Sequence, residues 1–556
     1  MFKRMIIVLT MTLSLLLLLM GVAAAARDIT PGSTATQADP LFLSPITDPV
    51  TVITVTSGTD PDNSDSRTCI THSPCTLRRA VIQARNLPAD QKPVLIAFDI
   101  PAEADEGYVA ALQIWKIQFS GISSAANATL RYLNGDIIID GSTQPGGRET
   151  GPKIILVGPG TGQWDGLKLG ETQFHNSNEI RGLGFQMFKT HIYINSSNNT
   201  IADNWFGLSD DGTNIVLRGG GANDGSGNTG ISVGANTTGN TIQHNVFTGL
   251  AGVAAALNGN DIVFAHNYVG TTAVGTVPDK QTDPSLICSP VDWLGGSGLS
   301  VGSGSDGNLI EGNIIAGIRI AVMPPTIQAD AIRLGSNNHI VRNNKIGLDI
   351  NDVEIGVCGR GVYLQGSTNF NQITTNFIVE PGLSAISLND TPTVSTSGAN
   401  TLRGNVIKKS TPWGQVDGQD NPEDAIQMTK SLPDAFRNFN PALVTTIDGT
   451  TISGTSGAGS PCPNCVVELF LDDTDAITET LQSLAVVTAA ADGTWTATIP
   501  AALTANQGLR TTSTSMQYNV IPAMHAGTTT KLSPLYTPGG GNGDDDYYIF
   551  LPLIRR

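Results

Sequence analysis

The sequence predicts an all-β solenoid, a parallel β-helix, on three observations. An Asn-x-[Ile/Leu]-x-x-Asn element recurs, starting at Asn199, Asn240, Asn308, Asn338, Asn371 and Asn400, with a stretched copy at Asn260 and a degenerate one at Asn178. A short strand with two apolar residues two apart precedes most copies, as in "DGLKLG" (165–170), "HIYINS" (191–196), "AIRLGS" (331–336) and "GVYLQG" (361–366). The composition agrees: 62 glycines in 556 residues and only 14% charged residues favour short strands joined by tight turns over helices.

The chain is several times the usual domain size, which points to an array. Successive copies start between 20 residues apart (Asn240 to Asn260) and 48 apart (Asn260 to Asn308). That is a solenoid repeat with loops bulging from some units. An apolar period of two excludes helical repeats, and leucine-rich repeats are excluded by the missing Leu spacing and helix. Each coil is expected to add three short strands, with equivalent residues stacked about 4.8 Å apart. The Ile of each motif then lines the interior. The Asn residues are placed at the bends, where left-handed backbone angles are tolerated, and bond coil to coil as a ladder.

Taken in order, residues 1–26 read as a secretory signal. Lys3 and Arg4 precede an apolar stretch that ends in Ala24-Ala25-Ala26, a small-residue cleavage site. Export to the medium or the cell surface is therefore expected, with no transmembrane span in the mature chain. Residues 27–90 form an N-terminal segment whose amphipathic helix at 76–86 caps the solenoid. The acidic stretch "DPDNSDS" (60–66) reads as a solvated loop; calcium is the alternative, but the Gly and Glu of an EF-hand loop are missing. Residues 91–440 carry the β-helix. Residues 441–536 read as a β-sandwich for spacing or adhesion, and 537–556 as a Gly/Asp linker with a short apolar tail, a sorting or anchoring signal.

The net charge is −17, and loss of the signal with Lys3 and Arg4 makes it more negative. Such a chain repels phosphate backbones, so nucleic acid is not an expected partner. Six cysteines fall as Cys69/Cys75, Cys288/Cys358 and Cys462/Cys465, read as three disulfides in an exported chain. Cys462-Pro-Asn-Cys465 also has redox or zinc spacing, but without a second such pair, a His at ligand spacing or a strand-then-helix context.

The sequence also resembles exported bacterial proteins with a right-handed parallel β-helix of pectate-lyase-like fold. The resemblance rests on the Asn motifs, "NWFGLSDDGTNIVL" (204–217), "NYVGTTAVGT" (267–276) and "IIIDGSTQPG" (137–146). "CTLRRAVIQARN" (75–86) is similar to the Cys-Ser-Leu-Arg-Glu-Ala segment opening many of them, departing at Thr76 and Arg79. The turn "ADGTW" (491–495) resembles those of bacterial immunoglobulin-like modules. The resemblance covers roughly 50–435 and is specific for fold, because this fold hosts lyases, hydrolases, epimerases and adhesins.

Lyases of this fold work on the outer face of one sheet. Stacking the first strands gives an outward column Lys168, Tyr193, Ser232, Ser300, Arg333, Tyr363, Ser387. Three positions earlier comes Asp165, Thr190, Thr229, Ser297, Asp330, Arg360, Ser384. Two neighbouring coils thus unite Asp330, Arg333, Arg360 and Tyr363 as candidate catalytic residues: an Arg as clamp or base, Tyr363 stacking on a sugar or donating a proton. The structural alternative is an exposed Asp–Arg pair beside a surface Tyr. Candidate substrate-binding residues are Lys168, Tyr193 and Trp293, the last on a loop that a Cys288–Cys358 disulfide would pin over this face. A further row, Asp203, His244, His266 and Arg342, precedes the last Asn of the motif; a metal site there is weighed against surface decoration. No cofactor is required, calcium being the weak exception. The leading expectation is a non-enzymatic surface or adhesion protein engaging a polysaccharide or cell-surface glycan. The alternatives are a polysaccharide lyase or glycosidase on the same face, and a purely structural envelope component.

Overall fold

The computed structural model describes residues 49–538, apart from 61–65, 103–104, 120–129, 161–163, 172–175, 217–227, 251, 278–297, 319–328, 367, 390–398, 411–423, 429–438, 457–461 and 517–526. The signal, Trp293, Cys288, His175 and most of the tail lie outside these residues. Among the described residues no helix is long and apolar enough to cross a membrane.

The chain winds into a right-handed parallel β-helix of three sheets, with eleven, nine and eleven strands among the described residues. The first sheet runs from Thr51–Val55 to Thr401–Arg403, the second from Asp165–Leu169 to Ile426–Met428, the third from Tyr108–Val109 to Val406–Lys408. Every step is parallel except the first pair of the third sheet, Tyr108–Val109 with Ile114–Gln118. Strands of two to five residues suffice because each side chain has an equivalent one coil above and below. The inward column of the first sheet runs in register through Ile53, Ile96, Ile139, Ile180, Ile201, Ile242, Phe264, Ile310, Val341, Ile373 and Leu402. All are buried. The third sheet stacks Phe185, Phe206 and Phe247 in the same core, with ring centroids 5.1 and 4.7 Å apart.

The asparagine ladders are real, with two corrections. An unbroken ladder runs through Asn204, Asn245, Asn267, Asn313, Asn344, Asn376 and Asn405, each Oδ1 from Asn245 onward accepting the backbone N–H of the Asn one coil before at 2.9–3.1 Å. These side chains are buried, and the left-handed φ belongs to the preceding residue: Asp203, His244, His266, Gly312, Asn343, Thr375 and Gly404. The second ladder uses Asn178, Asn199, Asn240, Asn308, Asn371 and Asn400, but not Asn338 or Asn260. His339 takes the place of an Asn: Nδ1 accepts the Asn308 N–H at 3.2 Å, so Nε2 carries the proton and lies 2.9 Å from Ser336 Oγ. Burial pushes this imidazole down to about 4, which keeps it neutral.

The helix Leu77–Asn86 covers the N-terminal end, packing Leu77, Ala80, Val81 and Ala84 against the first coils. Thr76 caps it by accepting the Arg79 N–H, and the Cys69–Cys75 disulfide lies beside it. Asp60, expected in a solvated loop, is instead buried in a bidentate pair with Arg78, both contacts 2.7 Å.

Residues 443–514 form two three-stranded antiparallel sheets with their own core, including Val444, Ile452, Leu469, Trp495 and Leu509. Cys462 and Cys465 are disulfide-bonded in a turn of this module, so they offer zinc no thiolates. The module is not a detached spacer. Its Phe470 and Leu532 join the core of the solenoid. Thr529 donates its N–H to Asn400 O at 3.1 Å, the bond that a next coil would supply, and its Oγ1 accepts from Leu402 N at 3.0 Å. Thr480 exchanges backbone bonds with Ile407. The module thus closes the C-terminal end and satisfies backbone groups there.

Candidate functional site

The second sheet carries the predicted column. Its register sets Lys168 beside Tyr193, then Ser232, Ala256, Ser300, Arg333, Tyr363, Ser387 and Gln427. Sequence reasoning skipped the coil of Ala255–Leu257, whose small residues show no alternation. Asp165, Thr190 and Thr229 align as expected. Backbone bonds tie Ala331 to Arg360 and Gly361 to Ser384, confirming the neighbouring column.

Two clusters of cation and tyrosine stand on this face. In the first, Lys168 Nζ is 3.3 Å from Asp165 Oδ2 and 5.7 Å from the centre of the Tyr193 ring. All three are partly exposed. Burial pushes the Asp165 carboxyl up, opposed by Lys168 and by a hydrogen bond from Thr190.

In the second, Asp330 is fully buried and clamped. Its Oδ1 accepts the Arg360 N–H at 3.0 Å and lies 3.6 Å from Arg360 Nη1, while Oδ2 lies 3.3 Å from Arg333 Nη2. The Tyr363 ring packs under both guanidinium groups, 4.5 Å from Arg360 and 5.6 Å from Arg333, a cation–π arrangement. The four residues predicted to meet do meet. The role for Tyr363 changes, because the ring is 3% exposed and its face is taken by arginine, leaving no room for a sugar. Only Arg333 of the four keeps an open edge, with a quarter of its side chain exposed.

The first cluster lies five strands from the second, about 24 Å along the solenoid axis, and Ser232, Ala256 and Ser300 floor the interval. Trp293 and Cys288 lie outside the described residues. Cys358 is disulfide-bonded.

The histidine row is redrawn. Asp203, His244 and His266 fall in one column on consecutive coils of the first sheet. Arg342 leaves the row because Asn344, not Asn343, is the ladder residue of its coil. Arg342 pairs in register with Glu311 and forms a two-pronged ion pair with it at 2.9 and 3.0 Å. His191 is buried among Phe185, Phe188 and Phe206.

No protein-family model matches the chain, and no curated protein matches it. Among solved structures it is similar to the A-module of a mannuronan C-5 epimerase of Azotobacter vinelandii, at 12% identity and TM-score 0.32, covering 60% of this chain and 81% of that one. It is similar to a periplasmic alginate epimerase at 11% identity and TM-score 0.30, covering 68% and 85%. It is also similar to the catalytic domain of a GH87 α-1,3-glucanase at 13% identity and TM-score 0.29, covering 72% and 70%.

Proposed function

We propose that the chain is an exported glycan-binding protein that lays an acidic polysaccharide along the second sheet, between the Lys168–Tyr193 and Arg333–Arg360–Tyr363 clusters. The observation that supports this reading is the row itself: two clusters that each set a cation against a tyrosine ring, joined by a floor of small side chains. A linear polymer running along the axis meets Lys168 and Arg333 with its carboxylates and Tyr193 with a ring face. The net charge of −17 opposes a polyanion at long range. That repulsion is screened beyond about 8 Å at physiological salt, so short-range contacts decide.

A binding role suits the carboxylate positions better than hydrolysis does. In these two columns Asp165 and Asp330 lie five strands apart, about 24 Å, and Asp330 and Asp424 three strands apart, about 14 Å. Hydrolytic pairs need roughly 5–9.5 Å. Elimination needs a base that reaches the sugar, whereas Asp330 is buried and Arg333 and Arg360 are engaged with it.

The test is retention of the mature chain on a polyuronate and on a neutral glucan, with absorbance for unsaturated products and a reducing-end assay in parallel. Retention on the polyuronate, weakened by Lys168→Ala and Tyr193→Ala without products, supports the reading. Product formation establishes the enzyme instead, and absence of retention leaves the structural envelope role.

A further inference from the structure

The terminal module has two flanks, and they are finished differently. On one, the strand Gln507–Thr514 is covered: Thr529 bridges Thr514, and Tyr536 bridges Leu509. On the other, among the described residues, Gln482–Thr488 pairs with Val466–Asp473 and with no other strand. Thr494–Thr498 ends the facing sheet and pairs only with Thr451–Thr455. It lies against Gln482–Thr488, joined to it by a turn in which Thr494 O accepts the Ala490 N–H at 2.7 Å. Two strand edges thus stand side by side, each with a row of backbone N–H and C=O groups open.

Proteins blunt such edges with charge, proline or a covering segment. Neither strand contains a charged residue or a proline. From Thr480 to Leu509 Asp492 is the sole charged residue, in a chain that is 14% charged. Asp492 is engaged in the turn, accepting from the Thr494 N–H at 2.9 Å and from its hydroxyl at 2.7 Å. Val486, midway along the outer strand, is 51% exposed.

We propose that this flank pairs with the same flank of a second copy of the chain. Symmetry favours that occupant. An antiparallel strand paired with its own copy is two-fold symmetric, and the same axis pairs the neighbouring edge with its copy, so one contact satisfies both. The opposite flank is covered, so the sheets continue across the contact and stop at two chains. Charge selects the occupant too. At −17 two copies repel over most of their surface, whereas this strip brings together no like charge but Asp492 at its end. The pair links two solenoids through their C-terminal modules, a bivalent arrangement.

The experiment follows the mature chain by sedimentation equilibrium over a concentration series, since a short interface makes a weak pair. The mass should climb from one chain to two and stop there, while amide exchange over 482–488 slows. Val486→Lys sets like charges across the contact at a position exposed enough to keep the fold, checked by an unchanged thermal transition. It should raise the dissociation constant by more than about tenfold. Thr498→Lys, exposed on the neighbouring edge, should act likewise. Val274→Lys makes the same change of charge on the solenoid, at a 70% exposed position, and should leave pairing unchanged. A mass of one chain at every concentration overturns the proposal. So does a pair that both edge variants retain, or one formed without slower exchange over 482–488.

Discussion

Asn245 Oδ1 accepts two bonds from Asn204, one from its backbone N–H and one from its side-chain amide, each at 3.1 Å. The same geometry repeats between Asn267 and Asn245, so each coil supplies the acceptor that the previous one needs. Asn267 Nδ2 also donates to Ile242 O at 3.0 Å.

Asn267→Ala therefore strands a buried backbone N–H and removes an amide donor. A loss of about 2–4 kcal/mol is expected in chemical denaturation, since each unsatisfied buried group costs about 1–3 kcal/mol. Asn260→Ala, outside the ladder, should cost well under half of that. Equal losses would remove the ladder from the account of stability.

The solenoid was legible because its period is two and its interior is aliphatic, so Ile201, Ile242, Ile310 and Ile373 announce the column on their own. The outer column followed from the same alternation, and with it the meeting of Asp330, Arg333, Arg360 and Tyr363. Where the pattern is ambiguous, reading failed. "NNHIVRNN" (337–344) fits two frames, and only the backbone shows that His339 and Asn344 are the ladder members. Burial of Tyr363 depends on where two arginine side chains turn, which no spacing reveals. The docking of the terminal module rests on contacts such as Thr401 with Gly527, 126 residues apart, and long-range pairing leaves no local signature.

Asp330→Asn separates structure from function at the outer face. It leaves Arg333 and Arg360 without their buried counter-charge, and breaking a buried pair costs about 3–5 kcal/mol. A lowered denaturation midpoint is expected, with polyuronate retention preserved well below it. Lys168→Ala should do the opposite. Its pair with Asp165 is only partly exposed and worth about 1 kcal/mol, yet retention should fall. Loss of retention in Asp330→Asn with stability unchanged would place Asp330 in the site instead.

Phe470 lies in the terminal module but is 3% exposed within the solenoid core. Phe470→Ala should open a cavity and cost about 3–5 kcal/mol. Hydrogen exchange should quicken in the last coil, around 401–407. Val486→Ala, at a half-exposed position of the same module, should stay within about 0.5 kcal/mol. Exchange in the last coil unchanged by Phe470→Ala would return the module to the role of a spacer.

The same joint makes stability depend on pH. Glu468 Oε1 accepts the Gly404 N–H at 3.2 Å, and Arg403 lies 3.7 Å from Oε2. Burial pushes Glu468 up to about 7, opposed by Arg403 and by the Gly404 bond. Burial likewise raises Glu479 to about 7 and Asp472 to about 6. The folded state then holds protons that the unfolded chain releases near pH 4–4.5. This stabilisation is complete below that range and is lost as the pH rises through about 7. For Glu468 the span is on the order of 2–4 kcal/mol. Glu468→Gln keeps the acceptor for Gly404 without the charge. It should match the parent chain at pH 5 and exceed it at pH 8, with a flatter curve of denaturation midpoint against pH. A variant less stable than the parent at pH 8 would mean that Glu468 is ionised in the folded chain and held by Arg403.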